Sequence, residues 1–207
     1  MLPSLAALFA ALFLLALAPN LGVLIVTTRA ASAGFRQGLW ATAGIVAATL
    51  LQVLFAVFVL AIVAAMRPEA RQVLRLIAAV YLVWSGMIMI RNAARAPLAS
   101  LPLTQRNAAS FATGFLLTIL NLKSPVFYVC LLPAFVAFGD VGARGVWGIL
   151  GVTAAAGFLA RLIYVTASAR GHVVPGVLTG RILNVIAGVV VAAAGAGLVA
   201  GDWFNTP

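Results

Sequence analysis

Two basic residues, Lys123 and Arg161, stand inside long apolar stretches of the sequence, where no Asp or Glu is present to neutralise them. An ammonium near the centre of a bilayer costs about 2.5 to 3.5 kcal/mol on insertion scales. A carboxylate on a bound solute would stabilise such a cation, and this is the chemistry that the two residues indicate. The alternative for each is a position near enough to an interface for the long side chain to reach water.

Proline and asparagine interrupt two of the apolar stretches, at Ala18-Pro19-Asn20-Leu21-Gly22 and at Asn121-Leu122-Lys123-Ser124-Pro125. Proline removes a backbone donor and obstructs the preceding helical turn, and lipid cannot satisfy the groups that are freed. Paired interruptions in two inverted halves indicate the binding site of a transporter, although simple helix kinks are the alternative. The predicted solute-binding residues are Pro19, Asn20, Gly22, Asn121, Lys123, Pro125 and Arg161. Other polar residues within the apolar stretches, Gln52, Tyr128, Tyr164 and Asn184 among them, are assigned to hydrogen bonding between helices.

The elements that would position these residues are membrane-spanning helices, each of which needs about 20 apolar residues. Six apolar runs occur: Leu5–Val26, Leu39–Ala65, Leu76–Ile90, Phe111–Phe138, Val146–Ala167 and Ile182–Ala200. We predict an all-α integral membrane protein of six transmembrane helices, of which helices one and four are broken. Residues 1–97 and 98–207 would be two inverted three-helix halves of a single membrane domain.

Small residues at four-residue intervals predict close packing of these helices, because small side chains let two backbones approach. The pairs are Gly34/Gly38, Gly44/Ala48, Gly151/Ala155 and Gly188/Ala192.

Composition excludes several classes of function. Of the 207 residues, 65% are hydrophobic and only 8% charged, against about 25% charged in a soluble domain. The thirteen Lys and Arg residues are scattered between apolar runs, so we expect no nucleic-acid partner. Cys130 is the single cysteine, and no metal-ligand spacing, nucleophile elbow or paired carboxylates occur. We therefore expect no metal site, no cofactor and no catalytic residues.

Several motifs resemble those of one family of small bacterial membrane proteins, the LysE/RhtB amino-acid exporters. Pro19 stands where the Pro-Gly-Pro motif of that family begins, and Arg29, Gly34–Gly38 and Gly44 follow at the family spacing. The stretch Phe111–Leu117 leads into Asn121-Leu122-Lys123, which is similar to the Asn-Pro-Lys of the family. The departures are Asn20 and Leu21 in the first motif, Leu122 in the second, and Thr49 where many members carry an intramembrane aspartate.

The resemblance implies a multi-pass protein of the bacterial inner membrane that exports amino acids or close derivatives by secondary transport. A homo-oligomer is compatible with it. The alternatives are efflux of another small anionic solute, or a degenerate family member that does not transport. Because Thr49 replaces the aspartate, the resemblance supplies no proton carrier at that position.

The distribution of arginine predicts that both termini face the periplasm. Loops after the first, third and fifth runs hold seven arginines against four in the other loops, and basic residues accumulate on the cytoplasmic side. Alkaline phosphatase fused to the C-terminus should therefore be active, and a single cysteine added at either terminus should react with a membrane-impermeant reagent in intact spheroplasts. Labelling of either end only after lysis would contradict this topology.

Overall fold

The computed structural model describes residues 2–92, 107–136, 143–170 and 177–203. These residues form helices and no strand. The α-helices are α1 (Leu2–Leu17), α2 (Leu21–Ala33), α3 (Phe35–Ala64), α4 (Pro68–Arg91), α5 (Asn107–Ile119), α6 (Lys123–Leu131), α7 (Ala143–Ala169) and α8 (Val177–Trp203), and a 3₁₀ helix (Leu132–Ala134) follows α6. The predicted boundary between residues 97 and 98 lies outside the described ranges.

Four of these helices, α3, α4, α7 and α8, are long and apolar enough to cross a membrane. The remaining helices form two bent pairs: α1 and α2 meet at 60°, and α5 meets α6 with its 3₁₀ extension at 66°. Counting each bent pair as one span gives up to six spans in the described residues. The prediction of an all-helical membrane protein with helices one and four broken is confirmed.

The start of α4 differs from the sequence-based prediction. The sequence predicts an apolar run of Leu76–Ile90, whereas the helix begins at Pro68 and also includes Arg71 and Arg75. Pro68 occupies the first helical turn and Glu69 follows it. Proline fits the first turn because its missing N–H would have no partner there, and an acidic residue interacts favourably with the helix N-terminus. These start signals precede the apolar run by two turns.

The helices pair across the two predicted halves. In each half the broken helix packs against a long helix of the other half: α1 packs against α7, and α5 packs against α3. The last helices of the halves, α4 and α8, pack against each other, and α2 lies between α3 and α7. This exchange places the first break beside α3 and α7 and the second break beside α3.

Glycines set the closest of these helix crossings. A Cβ atom at Gly44 would lie 2.1 Å from the Phe111 carbonyl oxygen, and one at Gly114 would lie 2.3 Å from the Ala41 carbonyl oxygen. Where α4 crosses α8, a Cβ atom at Gly86 would lie 2.5 Å from the Gly188 carbonyl oxygen. Only glycine permits such backbone contact.

Two of the predicted close-packing glycines have a different environment. A Cβ atom at Gly151 would meet no atom within 4 Å, so this position is not at a helix crossing. Gly34 also has open space around it, and its φ of 89° lies in the left-handed region. Glycine is favoured there because side chains make this conformation costly, and it allows the chain to turn from α2 into α3.

Two apolar clusters fill the described interior, and a polar layer separates them. Along α3, Ile45 belongs to one cluster and Val53 to the other, and Thr49 lies between them. Along α7, Ala156 and Tyr164 belong to different clusters, and Arg161 lies between them. The polar residues of the two long helices therefore occur at the level where the other spans are broken.

The α4–α8 crossing predicts a difference between two substitutions on α8. In Gly188→Ala the new Cβ atom would lie 2.7 Å from the Gly86 carbonyl oxygen, whereas in Gly197→Ala it would meet nothing within 4 Å. Alanine favours a helix over glycine by about 1 kcal/mol, so the control variant should keep or raise its stability. Gly188→Ala should lower the apparent melting temperature of the protein in detergent by several degrees. Equal melting temperatures for both variants would show that this contact is not close.

Candidate functional site

The first break is held by Asn20, which bonds to both half-helices. Its side-chain oxygen accepts a hydrogen bond of 3.1 Å from the Val23 amide at the start of α2. Its side-chain nitrogen lies 3.5 Å from the Leu15 carbonyl oxygen in the last turn of α1. Asparagine is among the preferred residues at this N-cap position. Asn20 therefore departs from the family motif but still caps the second half-helix of the break.

Other backbone carbonyls at the end of α1 also accept hydrogen bonds from the protein. The Ala18 amide donates to the Leu14 carbonyl at 3.1 Å, and the Tyr164 hydroxyl of α7 donates to the Leu17 carbonyl. The amide end differs, because the first amides of a helix have no helical carbonyl behind them. Leu21 and Gly22 carry those amides in α2. The first break therefore offers donors to a ligand and few acceptors.

The second break also has its carbonyls occupied. The Thr118 carbonyl accepts hydrogen bonds from the Gln52 side-chain nitrogen of α3, at 2.8 Å, and from the Asn121 amide, at 3.1 Å. The Asn121 carbonyl accepts from the Ser124 amide at 3.0 Å. Pro125 lies in the first turn of α6 rather than in the break itself, and proline is tolerated in that turn.

Two adjacent cavities lie between the breaks. The larger, of about 520 Å³, is lined chiefly by apolar side chains of α1, α4 and α6, including Leu12, Met89 and Phe127. The smaller, of about 250 Å³, is lined by Gln52, Thr118, Asn121 and Ser124 on its polar side. Residues of both breaks line the smaller cavity. Both cavities share Asn20, Leu21, Thr49, Tyr128 and Arg161.

Among the described residues, Arg161 is the one cation that lines either cavity, and its side chain is 9% exposed. Its Nη1 atom donates to the Gly157 carbonyl of the preceding turn at 3.0 Å. Its Nε atom is buried and has no hydrogen-bond partner among the described residues. The Tyr128 and Thr49 side chains line both cavities together with this guanidinium.

Glycine makes room for this guanidinium at the start of α2. A Cβ atom at Gly22 would lie 3.3 Å from Nη2 of Arg161 and 3.1 Å from the side-chain oxygen of Asn20. The cation therefore lies against the amide end of the half-helix. Both groups attract an anion: the helix N-terminus through its amides and dipole, and the guanidinium through its charge and paired N–H groups.

Five of the seven predicted site residues line the cavities: Pro19, Asn20, Gly22, Asn121 and Arg161. Lys123 and Pro125 line neither cavity. Lys123 is the first residue of α6, and its side chain is exposed on the surface of the helical bundle.

Sequence reasoning did not assign Thr49, Gln52, Tyr128 or Asn184 to the site, although all four line a cavity. The signal was present, because a polar side chain in a spanning helix is costly and often functional. For Gln52 the prediction of helix–helix bonding was incomplete. Its side-chain nitrogen bonds to α5, while its side-chain oxygen has no partner among the described residues. Tyr164 bonds helix to helix as predicted.

Comparison with known proteins gives a family and one distant relative. The uncharacterized membrane protein slr1627 of Synechocystis is 29% identical over 193 residues, which are 91% of this chain and 91% of that protein. No solved structure matches the chain. The family description of a LysE type translocator matches residues 13–201. Since this match covers most of the chain, the protein is a multi-pass membrane protein that belongs to the LysE type translocator family.

Proposed function

We propose that this translocator exports amino acids or close derivatives across the bacterial inner membrane by secondary active transport, and that Arg161 binds the carboxylate of the solute. The observation that carries the proposal is the buried guanidinium between two broken helices, with Nε unpartnered among the described residues. The family is one of translocators rather than enzymes, which supports transport of the solute without chemical change.

Charge supports a solute with a carboxylate. A cation in an apolar interior is costly unless it is paired, and no described carboxylate forms an ion pair with Arg161. A guanidinium matches a carboxylate bidentately, through two parallel N–H donors. The amides at the start of α2 would add donors to the same oxygen atoms. The same chemistry suits other small organic anions, which are the second candidate substrates.

The position of the site supports alternating access. Substrate sites of many transporters lie near the bilayer midplane between repeats, where discontinuous helices meet. Here α1–α2 and α5–α6 supply residues to one cavity of about 250 Å³, and α3 and α7 contribute the polar residues that face it. Rocking of the two halves about this site would expose it to each side in turn. The solute and the lipid bilayer are the proposed partners, and self-association stays a prediction.

The first experiment compares the two cations. A growth-inhibition screen with amino acids and analogues, in cells with and without the protein, identifies an exported solute. Arg161→Met should then reduce export of that solute to the level of cells without the protein, because the carboxylate loses its charged partner. Arg161→Lys should keep only part of the transport, since an ammonium cannot bind bidentately.

Lys123→Met tests the sequence-based assignment, which stays a prediction. If Arg161 holds the carboxylate, this variant should keep most of its export, because Lys123 lines neither cavity. Protein level in the membrane and elution from a sizing column must match the wild type for each variant. Loss of export in Lys123→Met together with wild-type export in Arg161→Met would overturn the proposal and support the sequence-based assignment.

A second experiment adds a methyl group next to the Arg161 guanidinium. Gly22→Ala places a Cβ atom 3.3 Å from Nη2 of Arg161 and 3.1 Å from the side-chain oxygen of Asn20, so both side chains must shift by a few tenths of an ångström. We expect the KM for the exported solute to rise several-fold with little loss of folded protein, because alanine favours the helix. Gly151→Ala is the matched control, since its Cβ atom would meet nothing within 4 Å. An unchanged KM in Gly22→Ala would place the solute elsewhere.

A further inference from the structure

Two residues that line the smaller cavity each carry a buried polar atom without a hydrogen-bond partner among the described residues. One is the donor Nε of Arg161 and the other is the acceptor Oε1 of Gln52. A buried polar atom without a partner is costly and is uncommon in native proteins. Two such atoms in one small cavity indicate a ligand that satisfies both.

The orientation of the Gln52 amide is fixed by its other contact. The Thr118 carbonyl lies 2.8 Å from Nε2, and a carbonyl can only accept a hydrogen bond, so the nitrogen must be the atom that faces it. The oxygen is therefore the unpartnered end. Gln52 is 3% exposed, and its side chain is tied to α5 by this bond, which leaves little freedom for the oxygen to find another partner.

Several backbone acceptors of the site are already occupied. The carbonyls of Leu15, Leu17, Thr118 and Asn121 at the two breaks accept hydrogen bonds from the protein. No described Asp or Glu lines either cavity. Among the buried side-chain atoms of the described residues that lack a hydrogen-bond partner, Gln52 Oε1 is the acceptor on a lining residue.

We infer that Arg161 Nε and Gln52 Oε1 bind the two polar ends of one solute, the carboxylate at Arg161 and an N–H group at Gln52. The site then selects carboxylic acids that carry an amino or amide N–H near the carboxylate, over acids of the same shape that lack it. The inference rests on the proposed function, in that Arg161 must hold the carboxylate. Gln52 is in this sense a specificity-determining residue.

The adjacent cavity fixes the choice of probes. Its apolar lining of Leu12, Leu15, Ile88, Met89 and Phe127 suits a branched aliphatic side chain. L-leucine, N-acetyl-L-leucine and 4-methylpentanoate share such a side chain and a carboxylate, and only the last lacks an N–H. A site with a buried acceptor rejects the analogue that leaves it unpaired.

The experiment measures binding of the three probes to purified protein in lipid nanodiscs, by calorimetry or by the shift in melting temperature at millimolar concentration. The wild type should bind the two N–H probes about tenfold more tightly than 4-methylpentanoate, as expected for one buried hydrogen bond. Gln52→Met keeps the length of the side chain and removes the acceptor. This variant should bind all three probes with similar affinity, close to that of the wild type for 4-methylpentanoate.

Ser110→Ala is the matched control, because it removes a different hydrogen bond between α3 and α5, that of 2.8 Å from Ser110 to Gln37, at a residue that lines neither cavity. It should keep the preference for N–H probes. Equal binding of all three probes by the wild type, or a preference that survives in Gln52→Met, would overturn the inference and leave the proposed function intact. Binding of all three probes by Arg161→Met, or of none by the wild type, would overturn the proposed function and the inference with it.

Discussion

Lipid offers no hydrogen-bond partner to a broken helix, and this chain breaks two. The carbonyl and amide ends of the breaks are satisfied in different ways. At the carbonyl ends the protein supplies the partners, through Asn20 and Tyr164 at the first break and Gln52 at the second. At the amide end of the first break, Gly22 lines the smaller cavity, and the Arg161 guanidinium lies next to Gly22. Under the proposed function, this pattern of satisfied acceptors and available donors suits an anionic solute.

The level of the site within the bundle bears on the proposed binding of an anion. Apolar clusters lie on both sides of the polar layer along α3 and α7, and electrostatic interactions are stronger in apolar surroundings than in water. Thr49 stands where the family resemblance implies an aspartate, and it lines both cavities with Arg161. Under the proposed function, a carboxylate at position 49 would compete with a solute for Arg161, whereas a hydroxyl leaves the positive charge available to the solute.

The sequence predicted the parts of this arrangement that depend on local chemistry. Proline and asparagine marked both breaks, and a lone cation in an apolar run marked Arg161. Lys123 carried the same signal, yet it lines neither cavity, because at the start of α6 the neighbouring Ser124 lines the smaller cavity while the Lys123 side chain is exposed. Gln52 and Thr49 were visible only as polar residues in a span. Their place in the site depends on how α3 packs against α5, which the close approach of Gly44 and Gly114 determines, and such a distant contact leaves no local pattern.

The exchange of partners between the halves has a consequence for biosynthesis. A membrane protein leaves the translocation machinery from its N-terminus onward, so α1 enters the bilayer long before α7 and α8, against which it packs. Until α7 is made, the Leu17 carbonyl lacks the Tyr164 hydroxyl, and the first break stands in the membrane with part of its backbone unsatisfied. During insertion, the first break therefore lacks one of its native hydrogen bonds until the second half arrives.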